Sequence, residues 1–179
     1  MRAIKTSVIS ILVVGLLAGT AVGVAAQDED AMAAAAVTGT ASGFTQESGG
    51  SPTLLEDFAM LAEGLHLTST WDVSDPRLSG DNAIAGNTIR YNEHRMQVGA
   101  GDATLENDGG RWVGLVTVLE GEQLGETGTY ILQGEGAYEG LTAYVVTQRI
   151  EGDPDGAQTL DAAIFPHEMT PFPEAAAAE

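Results

Sequence analysis

Short runs of alternating apolar and polar residues extend from residue 37 to residue 165, and clusters of Gly, Asn and Asp separate them. The runs are rich in Val, Ile, Thr, Tyr and Trp, which favour strands, and a period of two is typical of a strand with one buried face. The pattern predicts eight strands, near residues 37–45, 65–73, 87–92, 101–107, 111–118, 128–134, 140–150 and 158–165.

The connections between these strands are short and rich in turn residues. Parallel neighbours need a long crossover, usually a helix, so short connections favour antiparallel hairpins. Asn-Asp-Gly-Gly at 107–110 is the clearest hairpin turn, because these residues tolerate the positive φ of a primed turn. Residues 121–128 predict a looser hairpin loop. We therefore expect an all-β fold, an antiparallel meander closed into a barrel of about eight strands.

Residues 53–64 interrupt the strand pattern. Thr-Leu-Leu-Glu at 53–56 fits a helix capping box, and Gly64 fits a helix end. Between them, apolar side chains recur at helical spacing, namely Leu54, Leu55, Phe58, Leu61 and Ala62. The segment predicts a short helix that covers one end of the barrel. The alternative is a surface loop with one apolar side turned inward, because isolated helices of this length are marginal.

The first 26 residues are typical of a secretory signal peptide. Arg2 and Lys5 precede an apolar run over 8–17, and small residues continue to Ala26, after which cleavage is expected. An uncleaved signal anchor is the alternative, since residues 7–26 carry no charge and are long enough to span a bilayer. Either interpretation places the domain in the extracellular space or the cell envelope.

The segments on either side of the strands predict no fold of their own. An acidic and Ala-rich tether is expected over 27–36, and a disordered Pro- and Ala-rich tail over 166–179. The barrel domain is therefore expected over 37–165, an ordinary size for a single domain.

Charge and cysteine content exclude several functional classes. Without the leader, the chain has five Arg, no Lys and 26 acidic residues. Its formal net charge is therefore −21. It cannot assemble the basic patch that nucleic acid or an anionic membrane surface requires, so neither is an expected partner. Cysteine is absent, which excludes disulfides, thiolate metal ligands and a cysteine nucleophile. The composition indicates no particular oligomeric state.

A short motif occurs twice, 26 residues apart. Residues 110–115 and 136–141 share the pattern Gly-x-aromatic-x-Gly-Leu, in which Trp112 and Tyr138 are the aromatic residues. Residues two apart share one face of a strand, so each ring is expected over the glycine that follows it in its motif, where it covers bare backbone. The two aromatic residues would then hold equivalent positions on neighbouring or near-neighbouring strands.

The second copy, extended to residues 134–141 as Gly-Glu-Gly-Ala-Tyr-Glu-Gly-Leu, resembles the G-x-G-x-aromatic-x-G-[AL] signature of allene oxide cyclase-like and dirigent-like barrels. These proteins have a calycin-type architecture of eight antiparallel strands. Ser-Asp-Pro-Arg-Leu-Ser-Gly at 74–80 and Asn-Asp-Gly-Gly-Arg-Trp-Val-Gly at 107–114 extend the resemblance to a group of secreted bacterial proteins. That group carries S-D-P-R-[VL]-S-G, N-D-G-G-x-W-x-G and G-x-G-x-Y-x-G-L. The resemblance covers about 37–165 and implies a fold, without a catalytic or substrate-binding residue.

The residue types that commonly act in catalysis or metal binding do not occur at the spacing of any recognised catalytic or metal-binding motif. His66, His94 and His167 are the only imidazoles, and no two are two or four residues apart, so they predict no metal site, and no cofactor is expected. No G-x-S-x-G sequence marks a serine nucleophile. The acidic segment from Asp153 has Ile164 where a calcium loop ends in Glu, and it is interpreted as a turn. We predict no catalytic residue.

A few polar side chains are still candidates for a polar site. The carboxylates of first interest are Glu56, Asp57, Asp72 and Asp75. At Asp75-Pro76-Arg77 we expect a turn at a strand end, in which Arg77 clamps a nearby carboxylate or carbonyl group.

These features favour a secreted, non-catalytic binding module that holds a small apolar or aromatic molecule in the barrel interior or mouth. The candidate ligand-binding residues are aromatic: Trp71, Trp112, Tyr138 and Tyr144. Two alternatives remain open. One is an isomerase- or cyclase-type enzyme that acts mainly by shaping its substrate, and the other is a structural or surface-interaction domain without a pocket. A pocket of roughly 300 Å³ or more at one barrel end would favour the binding module.

Overall fold

The computed structural model describes residues 34–49, 52–55, 59–91, 95–122 and 125–166. The predicted signal peptide, the tether up to residue 33 and the tail from residue 167 lie outside the described residues. The described strands are β1 (Ala35–Ser48), β2 (Thr53–Leu55), β3 (Ala59–Val73), β4 (Gly80–Tyr91), β5 (Met96–Asn107), β6 (Gly110–Gly121), β7 (Gly125–Gly136), β8 (Thr142–Arg149) and β9 (Gln158–Phe165). A 3₁₀ turn, Pro76–Leu78, lies between β3 and β4. In these ranges no helix is long and apolar enough to cross a membrane.

Eight of the strands close a ring of hydrogen bonds, which confirms the predicted all-β antiparallel barrel. From β3 to β9 the chain forms a meander in which each strand pairs with the next. β1 pairs with β9 on one side and with β3 on the other, so that Ala35 faces Ile164 and Gly39 faces Val73. The short β2 pairs with the first residues of β3. Because β1 begins at Ala35, the barrel starts within the predicted tether.

The predicted helix or inward loop over 53–64 is wrong, because this segment forms β2 and the start of β3. Thr53 pairs with Leu61 of β3, and Ala62 pairs with β4 on the other side. A helix here would lose the hydrogen bonds between β2 and β3 and between β3 and β4. A helix of this length is also marginal in isolation, so the strand pairing outweighs the helical spacing of the apolar residues. Residues 56–58, which include the end of the capping box, lie outside the described residues.

Large side chains fill one end of the barrel, which we call the closed end. Alternate residues of each strand point inward, and several fully buried large ones gather here: Trp71, Leu78, Leu105, Trp112 and Leu132. Leu78 belongs to the 3₁₀ turn rather than to a strand. Full burial of such a side chain contributes about 1.5–3 kcal/mol to stability, so the closed end forms the main core of the fold.

The hairpin between β5 and β6 confirms the turn predicted at 107–110 but not its conformation. Asn107 pairs with Gly110, yet neither Asp108 nor Gly109 has a positive φ. Instead, Asn107 Oδ1 accepts hydrogen bonds from the backbone N–H groups of Gly109 at 3.0 Å and Gly110 at 3.1 Å. The asparagine side chain therefore replaces a backbone turn contact and allows an unprimed turn.

The same side chain joins this hairpin to the 3₁₀ turn. Asn107 Nδ2 donates to the carbonyl oxygens of Ser79 at 2.7 Å, Pro76 at 3.2 Å and Arg77 at 3.2 Å. Asn107 Oδ1 also accepts from the Tyr138 hydroxyl at 2.7 Å. The three motifs that carry the family resemblance thus meet at one asparagine at the closed end.

Asp75 and Arg77 form the expected turn and clamp after β3. Asp75 Oδ1 accepts from Arg77 Nε at 3.0 Å and from the Arg77 backbone N–H at 3.0 Å, while Oδ2 accepts from Nη2 at 2.6 Å. The side-chain hydrogen bonds are the main reason why the pKa of Asp75 is lowered and that of Arg77 is raised. The clamp holds the 3₁₀ turn, whose Arg77 carbonyl oxygen accepts from Trp112 Nε1 at 2.7 Å.

Trp112 and Tyr138 both lie at the closed end, but they are not equivalent. Trp112 is on β6, whereas Tyr138 lies in the turn after β7. Their rings stack with centroids 5.3 Å apart, and the Tyr138 ring lies against Gly109 and Gly110. The expectation that Tyr138 covers Gly140 on a strand is therefore wrong. Gly140 has a φ of 82°, which suits glycine at a turn.

Candidate functional site

The end of the barrel opposite the closed end contains a cavity of about 430 Å³, and we call this the cavity end. Apolar side chains of β1, β3, β4 and β6 form much of its wall: Phe44, Met60, Leu65, Leu67, Ile84, Val116 and Val118. Tyr130 and Thr147 line it from β7 and β8. Polar residues near the strand ends also line it.

The cavity exists because small residues occupy inward positions that are filled at the closed end. Thr88, Gly99, Val118, Gly128 and Thr147 lie opposite one another in a row across β4 to β8. Two positions of this row are glycines and add no side chain to the interior. At the closed end, inward positions of β5, β6 and β7 hold Leu105, Trp112 and Leu132 instead. The interior is therefore packed at one end and open at the other.

A row of polar side chains forms the rim of the cavity. Arg90, Gln97, Glu120 and Glu126 lie opposite one another on β4, β5, β6 and β7, and all four line the cavity. Directly opposed residues of antiparallel strands have Cβ atoms about 4.5–5.5 Å apart, and like charges in such a pair repel. Glu120 and Glu126 are such a pair, so two carboxylates lie side by side above the apolar wall.

Glu126 is half-buried, whereas Glu120 is exposed. Glu126 Oε1 accepts from Gln158 Nε2 at 3.0 Å, and Oε2 lies 3.5 Å from Arg149 Nη1. Burial, reinforced by the charge of Glu120, raises the pKa of Glu126, while Arg149 and Gln158 act in the opposite direction. The net effect is upward, so the folded protein holds a proton on Glu126 more tightly than the unfolded chain does.

The Glu126→Gln variant should melt at a higher temperature than the wild type at pH 7. Because folding raises the pKa of Glu126, its ionised form opposes folding at neutral pH. This opposition disappears once the pH is below the ordinary glutamate value of 4.5, where the unfolded chain is protonated too. The gain in melting temperature should therefore shrink as the pH is lowered from 7 to 4. Exposed Glu139→Gln removes the same charge and serves as the control; an equal gain there, or no gain in Glu126→Gln, would contradict the prediction.

Tyr130 and Thr147 place two hydroxyl groups at the inner part of the cavity. The Tyr130 ring packs edge-to-face with Trp71, with centroids 5.1 Å apart. Burial raises the pKa of Tyr130, an effect that Glu126 reinforces and a contact with the Thr147 hydroxyl partly offsets. That contact falls short of hydrogen-bond geometry, and within the described part of the chain Thr147 Oγ1 is buried without a partner. A buried unpaired hydroxyl costs about 1–3 kcal/mol.

None of the four aromatic residues predicted to bind a ligand lines the cavity. Trp71 is buried against Tyr130, while Trp112 and Tyr138 stack on each other at the closed end. Tyr144 is 42% exposed, on the outer face of β8. The four predicted aromatic residues therefore belong to the core and the outer surface, whereas Phe44, Tyr130 and mostly aliphatic side chains line the cavity.

The polar candidates that the structure describes also lie away from the cavity. Asp72 is exposed on β3, and Asp75 is paired with Arg77. His66 is on β3 but is not among the residues that line the cavity. The remaining candidates lie outside the described residues: Glu56, Asp57, His94 and His167.

The acidic segment at Asp153 is a turn, as expected. Asp153 Oδ1 accepts from the backbone N–H groups of Asp155 at 2.9 Å and Ala157 at 3.0 Å. These contacts organise the connection between β8 and β9. Across the described ranges, no group of three or more His, Cys, Asp or Glu side chains is placed to hold a metal ion.

The sequence pattern does not single out Glu120 or Glu126, because acidic residues are frequent throughout the chain. The available signal is the hairpin predicted at 121–128. Once Gly121 is paired with Gly125, Glu120 and Glu126 fall opposite each other, but this register depends on a loop length that the glycine positions alone leave open. Comparisons with protein-family models, with curated proteins and with solved structures found no match for this chain.

Proposed function

We propose that this protein is an exported binding module that holds a small apolar or aromatic molecule in the cavity end of its barrel. The cavity itself is the observation that carries the proposal. Its volume of about 430 Å³ lies within the range of roughly 300–1,000 Å³ that is typical of small-molecule sites. A barrel filled along its whole length would instead favour a purely structural domain.

The lining suits an apolar molecule with a polar group at one end. Leu67, Ile84 and Val116 supply a wall without hydrogen-bonding groups, and burial of apolar surface there contributes about 25 cal/mol per Å². The rim supplies the few polar groups that orient a ligand. The packed closed end supports the cavity from below, so little of the binding free energy is lost in ordering the site. The leader-like sequence supports export.

Val118→Trp should weaken binding of the neutral, apolar fluorescent probe N-phenyl-1-naphthylamine at least about tenfold, because the larger ring occupies cavity volume. Val118 lines the cavity. The neighbouring Leu119 is exposed on the outer face of β6, so Leu119→Trp is a matched control that adds the same ring outside the barrel. Fluorescence titration of both variants and the wild type measures the affinity.

We expect saturable binding of the probe to the wild type and to Leu119→Trp with similar affinity. Melting curves of the three proteins show whether Val118→Trp is still folded. A folded Val118→Trp variant that binds the probe as tightly as Leu119→Trp would contradict the proposed function, and so would a wild type that does not bind the probe.

A further inference from the structure

Two carboxylates face the cavity from opposed positions on β6 and β7. Glu120 and Glu126 form a direct cross-strand pair, and both line the cavity. Among the described residues, Glu126 has an ion-pair partner in Arg149 at 3.5 Å, whereas Glu120 has none. A cation placed between two such carboxylates relieves their repulsion and favours the ionised form of both.

A second and independent feature lies deeper in the cavity. Thr147 is 1% exposed, and its Oγ1 atom has no hydrogen-bond partner among the described residues. Thr147 lies opposite Gly128, which is two residues after Glu126 on the same inner face of β7. A Cβ atom at position 128 would lie 2.6 Å from Thr147 Oγ1. The glycine therefore keeps the space beside this buried oxygen free of a side chain, so that a donor group of a ligand can approach it.

Arg90 is the rim group that would favour an anionic ligand. It is exposed, and no ion pair joins it to a carboxylate within the described ranges. The charge of the chain opposes such a ligand, because 26 acidic residues against seven basic ones create a field that attracts cations and repels anions. One arginine at the edge is also set against two carboxylates on the same rim. The charges of the rim and of the whole chain therefore favour a cationic ligand over an anionic one.

We infer that the ligand of the cavity is an organic cation, an ammonium group attached to an apolar body; this inference rests on the proposed function. The ammonium nitrogen lies between Glu120 and Glu126, where its N–H groups donate charge-assisted hydrogen bonds. A donor group carried on the body of the ligand would hydrogen-bond to Thr147 Oγ1. The apolar body packs against the wall that includes Val118.

Three probes with the same octyl chain test the inference: n-octylammonium, 1-octanol and octanoate. Isothermal titration calorimetry of the full chain at pH 7 measures their dissociation constants. We expect n-octylammonium to bind at least about tenfold more tightly than 1-octanol, and octanoate to bind most weakly. The neutral alcohol separates the effect of the charge from the effect of the apolar chain.

Two double variants locate the charge effect. Glu120→Gln with Glu126→Gln removes the rim carboxylates, and we expect the preference for n-octylammonium over 1-octanol to fall below about threefold. Glu139→Gln with Glu151→Gln removes two exposed carboxylates away from the cavity lining. This pair changes the net charge equally and should keep a preference of about tenfold or more. Melting curves confirm that both variants are folded.

The possible failures are distinguishable. Equal affinity for n-octylammonium and 1-octanol would overturn the cation inference and leave the proposed function intact. Tightest binding of octanoate, abolished by Arg90→Gln, would overturn it in favour of an anionic ligand. An equal loss of preference in both double variants would show that the net charge, not the rim pair, selects the cation, and would also overturn it. Failure of the wild type to bind N-phenyl-1-naphthylamine would overturn the proposed function itself.

Discussion

Trp112→Ala should lower the free energy of unfolding by about 3–5 kcal/mol, the largest loss that we expect from a single substitution in this protein. Trp112 is 0% exposed. Its removal leaves a void in the core and eliminates the ring stack with Tyr138. It also leaves the Arg77 carbonyl oxygen without the hydrogen bond that Trp112 Nε1 donates at 2.7 Å. Denaturant unfolding followed by circular dichroism measures the change.

Tyr144→Ala is the matched control, because it removes an aromatic ring that is 42% exposed on the outside of the barrel. We expect it to cost less than about 1 kcal/mol. Trp112→Phe keeps a buried ring but loses the N–H donor, and its cost should lie between the two. If Trp112→Ala is no more destabilising than Tyr144→Ala, the closed end is not the main core of the fold.

Asn107→Ala should lower the free energy of unfolding by about 3 kcal/mol or more, although it removes no large apolar group. Asn107 Oδ1 accepts from the Tyr138 hydroxyl and from the N–H groups of Gly109 and Gly110. Asn107 Nδ2 donates to carbonyl oxygens of the 3₁₀ turn and of Ser79. A hydrogen bond contributes about 1 kcal/mol on balance, and leaving a buried partner unsatisfied costs more.

Two further variants separate the parts of this effect. Asn107→Asp keeps the acceptor oxygen and replaces the donating nitrogen, so it should disrupt the contacts to the 3₁₀ turn while retaining those within the hairpin. Asn87→Ala removes an asparagine whose Oδ1 accepts from the Gly64 backbone N–H at 3.0 Å. This control should cost about 1 kcal/mol. A similar cost for Asn87→Ala and Asn107→Ala would refute the central role of Asn107, as measured by denaturant unfolding.

The strand content could be predicted because alternation and turn residues are local signals. The predicted bounds are least accurate for β4, which begins at Gly80 rather than near residue 87. Residues 80–86 contain two glycines and two alanines and have little strand propensity. They are extended because β3 and β5 pair with them on both sides. The same tertiary pairing explains why helical spacing over 53–64 misled the prediction.

The site was less predictable, because it depends on where each strand sits relative to its neighbours. The aromatic residues predicted as ligand contacts instead pack in the core or face outward. Trp112 and Tyr138, for example, stack on each other because a turn after β7 brings Tyr138 back to β6, and the motif does not show this turn. Glu120 and Glu126 meet only through the register of β6 with β7. The cavity volume results from glycines such as Gly99 and Gly128. Their place in one row facing the interior depends on the register of β5, β6 and β7.

The seam between β1 and β9 has a consequence for folding kinetics. Neighbouring strands of the meander can pair as soon as both are present, but Ala35 pairs with Ile164, near the other end of the domain. Such long-range pairs carry the largest loop-closure entropy and form late. Until they form, β1 and β9 are unpaired edges, which are templates for association with other chains. The nascent barrel is therefore most prone to aggregate just before its last strand docks.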